Sequence, residues 1–467
     1  MFISSSLLLM IAAFAVYFLV LVCISLIFYK KNQTSDNFLL ADRSLNYWVT
    51  ALSAQTSDMG SWLFLAYPAL VYAAGIEHVW TALGLVIFMT INWLVIAPAL
   101  RSQTAYYKAE TLTEFFEKKL KSNSSLAIAS GIISFYFFVI YIASGLAGIG
   151  KIFQNTFDIP LFWGTIIGIS ITALYSILGG FLAISWSNLF QGFFLLIIIL
   201  VVPLVSYFNL PLGFQSILNA AASKNIPMQI NFNFFSHISS FLKLFLGFGI
   251  GYFGQPHILI NFMGIDNVKN LKKAALVGIG WQTIVLSCAI LTGLVGIPLI
   301  QNCEPEHLFI ELAQKIFNPF FVGLTLCAII AATLSTINTQ LLVTATAFSE
   351  TFISKFDPKY RLLSSTKYWM VMTSFFALII ANLYQNSLYD FVLYAWSGLG
   401  SSFGPVVLMT LYWKSFNKQG ALVSMITGAL VSGLWPFLNN TTSPLIPGFI
   451  FSLIFGFLAT IFYKPKR

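Results

Sequence analysis

The sequence predicts an all-α polytopic membrane protein of about thirteen transmembrane helices, and three observations carry that expectation. Charged residues make up 8% of the chain against 58% hydrophobic ones, whereas water-soluble domains carry about 25% charge. Apolar runs recur along the whole length, giving a mean hydropathy of +0.85. Many reach the roughly 20 residues that a helix needs to cross a bilayer. The basic residues fall almost entirely into alternate loops, as expected where cytoplasmic loops hold the positive charge.

Taken in order, the first apolar run, 7–29, has no basic region before it and is longer than a signal-peptide core, so it reads as the first span. The others follow at 47–74, 79–100, 125–153, 160–180, 184–208, 239–264, 272–299, 318–350, 366–384, 388–412, 418–438 and 445–463. With the amino terminus outside, the inner segments collect Lys30, Lys31, Arg43, Arg101, Lys269, Lys272, Lys355, Lys359, Lys464, Lys466, Arg467 and others. Of 24 basic residues, only Lys151, Lys224, Lys243 and Lys315 fall outside. An external amino terminus and a cytoplasmic carboxyl terminus are therefore expected. This partition and the anionic inner leaflet account for the net charge of +9 without any nucleic-acid partner.

The four cysteines show no metal-like spacing, and no disulfide is expected. Glu110, Glu114, Glu117, Lys118, Lys119 and Lys121 in the inner segment 101–124 read as a solvated surface helix. No soluble domain or linker stands out, so residues 1–467 read as one transmembrane domain.

Three features break the apolar pattern. Asp58 stands alone in Ser53-Ala54-Gln55-Thr56-Ser57-Asp58-Met59-Gly60-Ser61-Trp62, within the second span. A carboxylate at that depth is costly and faces a cavity, a partner or an ion, and the surrounding Gly, Ser and Thr point to an interrupted helix. The alternative is an acid bonded to a neighbouring helix for structure alone. The second feature is Gly247-Phe248-Gly249-Ile250-Gly251-Tyr252-Phe253-Gly254-Gln255-Pro256-His257 in the seventh span. A continuous helix there would cost about 1 kcal/mol per glycine and about 3 for proline. The two breaks lie five spans apart, so their segments cross in opposite directions, as in an inverted-topology repeat with its site at the repeat interface. The third feature lies in the ninth span, where Ala332, Ser335 and Thr336 share one helix face at i, i+3 and i+4. Their hydroxyls and freed carbonyls are hard, uncharged oxygens suited to a monovalent cation that must bind and leave. Interhelical Ser/Thr contacts are the competing reading.

At these residues the chain resembles the solute:sodium symporter family, and within it the proline transporters most. The resemblance rests on Asp42–Leu45, Thr50–Ala54, Ser57–Met59, Ile140–Gly145, Leu178–Ala183 and Gly251–His257. It continues through Leu334–Thr336, Gln340–Val343 and Phe403–Leu408, and spans nearly the whole length. It implies a LeuT-like core of two inverted five-helix repeats, the first within 47–208 and the second within 239–412, with discontinuous helices near 54–62 and 247–257. Helices 7–29, 418–438 and 445–463 would flank the core.

The resemblance also implies a sodium site made by backbone oxygens of Thr56, Met59 and Ala332 and the hydroxyls of Ser335 and Thr336. Asp58, Arg43 and Asn188 would support it or take part in coupling. The solute would meet Ser57, Tyr141, Phe248, Tyr252 and Pro256. No organic cofactor is implied, sodium is the coupling ion, and the location is the cell inner (plasma) membrane. Three departures stand out. Met59-Gly60-Ser61-Trp62 replaces the usual Met-Ser-Gly-Trp, moving a hydroxyl by one residue, about 100° on a regular helix, enough to take it off the site-facing side. Phe248 replaces a tryptophan, and Asn188 replaces a carboxylate.

The expected function is a sodium-coupled importer of a small amino acid, foremost L-proline. The alternatives are sodium or proton coupling to another small organic solute, or a non-transporting solute sensor of the same fold. An intramembrane enzyme lacks material, because one mid-membrane acid has neither a second carboxylate nor a histidine cluster beside it in the sequence.

Overall fold

Hydrocarbon offers no partner to a peptide group, so a lipid-crossing segment must satisfy its own backbone as helix. The computed structural model shows this for every long apolar run. It describes residues 5–29, 35–122, 124–229, 234–353, 360–383, 387–439 and 442–463. Of the basic residues counted above, Lys30, Lys31, Lys355, Lys359, Lys464, Lys466 and Arg467 lie outside the described residues. Ten described helices are long and apolar enough to cross a membrane. Three shorter apolar helices, Ser61–Ala74, Leu161–Ala173 and Phe241–Gly254, fall where the sequence placed its remaining spans. Among the described residues the one β-contact is an isolated parallel bridge between Leu45 and Ile265.

Span four (Ser125–Phe157), span nine (Pro319–Ile353) and span eleven (Leu388–Tyr412) form the interior. The apolar windows of spans nine and eleven are each 83% buried, against 17% for span one (Ser5–Tyr29) and 28% for span twelve (Lys418–Leu438). The outer spans therefore expose their apolar faces to lipid. Spans five and six follow one another through Gly180, whose φ of +54° is open to glycine. A Cβ there would also lie 2.7 Å from the Phe38 ring. The charged inner segment does form a short helix, Leu112–Leu120, which buries Leu112, Phe115 and Phe116 and is capped by the Thr111 hydroxyl accepting from Glu114 N–H.

Both expected interruptions are present. Span two winds from Tyr47 to Thr56 and loses its helix at Ser57–Gly60. A tight 3₁₀ turn at Ser61–Leu63 follows, and winding resumes over Ala66–Ala74. Span seven winds over Phe234–Gly249, passes through a 3₁₀ segment at Ile250–Gly254 and restarts at Pro256–Met263. Pro256 opens that last helix, where its missing N–H costs nothing and its φ is already helical. A third irregularity was not expected: Asn92–Ile96 in span three adopts a π-turn, a feature frequent at functional sites.

The break in span seven is held by a close approach that only glycine permits. A Cβ on Gly254 would lie 2.2 Å from Gly404 N and 2.7 Å from Gly400 O. Gly280, on span eight (Leu271–Leu299), has nothing within 4 Å of such a Cβ. Gly254→Ala should therefore destabilise the protein by about 1–3 kcal/mol through overpacking, while Gly280→Ala should be neutral or stabilising by up to about 1 kcal/mol. Thermal unfolding of the two purified variants in one detergent tests the contrast, and equal shifts would refute the packing account.

Candidate functional site

The break in span two frees its carbonyls from the helical ladder. Gly60 N–H bonds to Asp58 O and Leu63 N–H to Gly60 O, so neither Thr56 nor Met59 receives the helical i+4 partner. Inside a membrane such an oxygen needs another donor or a cation. The Thr56 carbonyl lies 2.8 Å from Ser335 Oγ and 3.2 Å from Thr336 Oγ1. The same two hydroxyls lie 2.8 and 3.0 Å from Ala332 O. Four oxygens therefore converge with four short contacts among them, yet two hydroxyls supply only two protons. This surplus of lone pairs over protons fits a small hard cation, with no formal charge in the cage to hold it permanently.

Gly60 permits this approach of span two to span nine. A Cβ on Gly60 would come 3.3 Å from Thr336 Oγ1.

Asp58 points elsewhere. Its side chain is buried, and Tyr252 Oη donates to Oδ2 at 2.5 Å. Gln282 Nε2 on span eight donates in turn to Tyr252 Oη at 2.8 Å. The carboxylate thus links the two interrupted spans directly. Carbonyls nearby are met by indole and amide donors, one from span two itself and two from other spans. Trp62 Nε1 donates to Asp58 O at 3.2 Å, Asn92 Nδ2 to Tyr252 O at 3.1 Å and Trp396 Nε1 to Phe248 O at 2.9 Å. Asn92 opens the π-turn of span three, which gives that irregularity a role: it aims an amide at the break.

Beside the oxygen cluster, spans two, four, nine and eleven line a narrow, partly open cavity, about 230 Å³ of non-atom space counted together with its open side. Gly60, Ser61, Trp62, Tyr141, Thr336 and Gln340 are among its walls. Tyr141 Oη and both amide atoms of Gln340 are buried without a hydrogen-bond partner. Orphaned groups of this kind cost about 1–3 kcal/mol each, and a polar solute in the cavity would satisfy them. Trp62 stacks on Phe248 at 6.1 Å and 17° between planes, forming an aromatic wall that joins the two broken spans.

The residues expected from the sequence are distributed as follows. Thr56, Ala332, Ser335 and Thr336 come together. Met59 is buried at the same break with its N–H bonded to Gln55 O. Asn188 flanks the cluster, with Nδ2 donating to Ser53 Oγ at 3.1 Å and to Thr339 Oγ1 at 3.4 Å. Tyr141 lines the cavity, while Phe248 backs Trp62 and Tyr252 holds Asp58. Ser57 Oγ turns back to Ala54 O.

Two expected residues lie outside this group. Pro256 lines a second cavity. Arg43 is bound at one end of the bundle, donating to Thr104 O at 3.1 Å, Ala109 O at 2.7 Å and Met263 O at 3.4 Å. Arg101 lies alongside, donating to Ile265 O at 2.8 Å. At the other end Lys151 pairs with Glu306 at 2.7 Å, and Glu306 also accepts from Leu388 N–H.

One expectation is corrected. On a regular helix the hydroxyl shifted from position 60 to 61 would leave the site-facing side, but residues 57–60 are not helical. Ser61 lines the cavity, in a space left by Gly148, where a Cβ would meet Ser61 Oγ at 2.9 Å. Sequence reasoning also missed Trp62, Asn92, Gln282 and Gln340. Of these, Gln340 carried a signal, as an uncharged polar residue one turn beyond Thr336 in an apolar span.

The model of the sodium:solute symporter family matches residues 38–428. The chain is 35% identical to an osmoregulated proline transporter of Bacillus subtilis (strain 168), over 97% of this chain and 95% of that protein. It is 36% identical to a sodium/proline symporter of Staphylococcus aureus (strain USA300), over 96% of this chain and 91% of that one. In fold it resembles a Na⁺-coupled sialic acid symporter in a substrate-bound outward-open state, with a TM-score of 0.83, 14% identity and coverage of 98% and 99%. It also resembles MhsT in complex with L-phenylalanine, with a TM-score of 0.59, 15% identity and coverage of 88% and 98%. The LeuT-like architecture expected from the sequence is thereby established.

The Asp58–Tyr252 contact generates a double-mutant test. Tyr252→Phe leaves a buried carboxylate short of a donor, and Asp58→Asn removes its charge. Each should cost about 1–3 kcal/mol of stability. Because they share one bond, the double variant should fall short of the summed costs by about 1 kcal/mol. Strict additivity in thermal unfolding would show that the contact carries no energy.

Proposed function

This chain belongs to the sodium:solute symporter family, and from that premise we propose that it imports L-proline, or a closely similar small amino acid, in symport with sodium. The single observation that carries the ion reading is the convergence of Thr56 O, Ala332 O, Ser335 Oγ and Thr336 Oγ1, with more lone pairs than protons. Met59, with its carbonyl freed by the same break, would add a fifth oxygen. The proline reading draws on the two relatives whose names carry that solute, and on a cavity whose aromatic and orphaned polar walls suit a small zwitterion.

In this reading the cage strips water from sodium and replaces it with uncharged oxygens, so the ion binds without being trapped. The cation bridges span two to span nine. The solute then fills the adjoining cavity between the same two spans, engaging Tyr141 and Gln340 with its polar ends and Trp62 with its ring. Asp58 acts at a distance, holding the breaks in spans two and seven in register through Tyr252 while adding negative potential beside the cage. Arg43 and Arg101 would close the cytoplasmic end, and Lys151 with Glu306 the outer end. Spans two to six and seven to eleven would be the inverted halves that rock about the site.

The driving force follows from charge. One sodium carried with a neutral zwitterion moves one net charge, worth about 2.3 kcal/mol per 100 mV. At about 1.4 kcal/mol per tenfold, that term alone supports roughly fiftyfold accumulation per 100 mV.

Labelled proline uptake into sealed vesicles, with and without a sodium gradient and against a panel of competing amino acids, tests the proposal. Uptake indifferent to sodium, or outcompeted by every solute but proline, would refute it. Ser335→Ala and Asp58→Asn should raise half-saturating sodium about tenfold, equivalent to about 1.4 kcal/mol. The half-saturating proline at saturating sodium should move several times less. Unchanged sodium activation in both variants would remove these residues from the ion site.

A further inference from the structure

Every outer span meets lipid, but on one stretch of that surface cations, aromatic rings and a notch come together. Lys269, Lys272 and Lys273 fall within five residues at the start of span eight, and all three are exposed. Among the described residues no carboxylate lies within ion-pair distance of any of them. Lys273 Nζ lies over the Tyr47 ring at 5.8 Å, which draws the cation to the first turn of span two. Tyr47 packs against Trp48 at 5.7 Å. Trp48, 42% exposed, packs in turn against the exposed Phe193 of span six at 6.0 Å. Charge and rings thus meet at the end of the bundle expected to face the cytoplasm, where tryptophan and tyrosine favour the headgroup level.

An apolar notch continues from this cluster towards the membrane centre. Trp281 Nε1 on span eight donates to Gly192 O on span six at 2.9 Å, so their chain neighbours Gly280 and Phe193 sit at one level. Lys273, Leu276, Gly280 and Ile284 share the exposed face of span eight at i, i+3, i+7 and i+11. Leu276 and Ile284 project from it, whereas a Cβ on Gly280 would meet nothing within 4 Å. The helix surface between them is bare, and span six presents Phe193 and Ile197 alongside, both exposed. The notch lies roughly 10 Å along the helix from Lys273. That distance passes through the interfacial layer, about 5–8 Å thick on each side, into the hydrocarbon.

We propose that these ends of spans two, six and eight form a docking site for one anionic phospholipid of the facing leaflet. Lys272 and Lys273 hold its phosphate, and Lys269 adds to the field. Tyr47 and Trp48 sit at the level of its ester groups, and one acyl chain lies in the notch at Gly280. Charge complementarity selects this occupant. Three cations without a carboxylate face a leaflet of opposite sign, and basic pockets between membrane helices bind such headgroups. A zwitterionic lipid brings a compensating ammonium to the same place. The site is independent of which solute the chain carries. Span eight also holds Gln282, whose amide donates to Tyr252 Oη, so a lipid wedged here braces the helix that supports the Asp58 contact.

Bromine quenches a nearby indole, so phosphatidylglycerol with brominated acyl chains, titrated into the purified full chain in neutral detergent, reads the site through Trp48. Quenching should contain a saturable part that disappears in Trp48→Phe, and its persistence there would place the lipid elsewhere. Lys272→Gln with Lys273→Gln should raise the half-saturating lipid at least tenfold, since each lysine near an anionic surface is worth about fivefold. Lys414→Gln with Lys418→Gln removes equal charge from another loop at the same end and should leave it within twofold. Gly280→Leu changes no charge and should raise it at least threefold by filling the notch. Equal shifts from the two lysine pairs would reduce the effect to the general field of the basic loops and overturn the proposal. An unshifted Gly280→Leu, or brominated phosphatidylcholine binding as tightly as phosphatidylglycerol, would overturn it too.

Thermal unfolding gives a readout free of fluorescence. A ligand that binds only the folded chain raises its Tm. Phosphatidylglycerol should therefore raise the Tm of the native chain at least twice as much as that of the Lys272→Gln, Lys273→Gln variant. Equal increments in the two proteins would sink the site while leaving the symport reading untouched.

Discussion

A peptide carbonyl released from a helix within the membrane must find a donor or a cation, because the surrounding hydrocarbon supplies neither. This constraint organises the centre of the molecule. Each break exposes carbonyls, and side chains meet several of them, most from a different span. Trp62 reaches Asp58 O, Asn92 reaches Tyr252 O, Trp396 reaches Phe248 O, and Ser335 with Thr336 reach Thr56 O. The first three contacts each provide a true N–H for one oxygen. The last does not, since two hydroxyl protons are divided among oxygens that make four short contacts. The place where donors run short is where a cation can be held, and the satisfied carbonyls around it keep the rest of the break rigid.

The same constraint explains which parts were legible in the sequence. Spans declare themselves through length and hydropathy, since only helix satisfies a backbone in lipid. Both breaks declare themselves through glycine and proline at 247–256 and through an isolated acid at 58. The hydroxyl face of span nine follows from i, i+3, i+4 spacing, which a regular helix preserves. What the sequence concealed is partnership across long separations: Asn92 with residue 252, Trp396 with residue 248, and Gln282 with the Tyr252 hydroxyl. These depend on how helices pack, and no periodicity encodes them. Ser61 shows the opposite failure. A rule valid for a regular helix was applied across a stretch that is not one, so a residue lining the cavity was placed off the site.

Glycine marks where backbones must meet. Gly60 brings the span-two break against Thr336, Gly148 leaves room for Ser61, and Gly254 lets the span-seven break touch span eleven. The resulting contacts are backbone to backbone or backbone to hydroxyl, with little side-chain slack between them. A site built this way is stiff in its parts and free to move only where whole segments pivot. That suits a protein in which segments change partners between states while the local geometry of each break is kept.

In the proposed symport reading, coupling follows from shared walls. An ion can influence a solute only if both bind one conformation better than another, and the effect is reciprocal. The oxygen cage joins the break in span two to Thr336, and the solute cavity is walled by the same break at Gly60 to Trp62 and by the same Thr336. A cation that draws these two elements together also sets the width of the cavity, and a solute that fits the cavity holds the cage oxygens in place. Asp58 extends this joint to span seven through Tyr252, so closure at the cage is felt at the second break, beside Phe248 and the aromatic wall. Energetic linkage between the two ligands therefore needs no long pathway. It would arise because one interface, between the interrupted span two and the hydroxyl face of span nine, is a wall of both proposed sites.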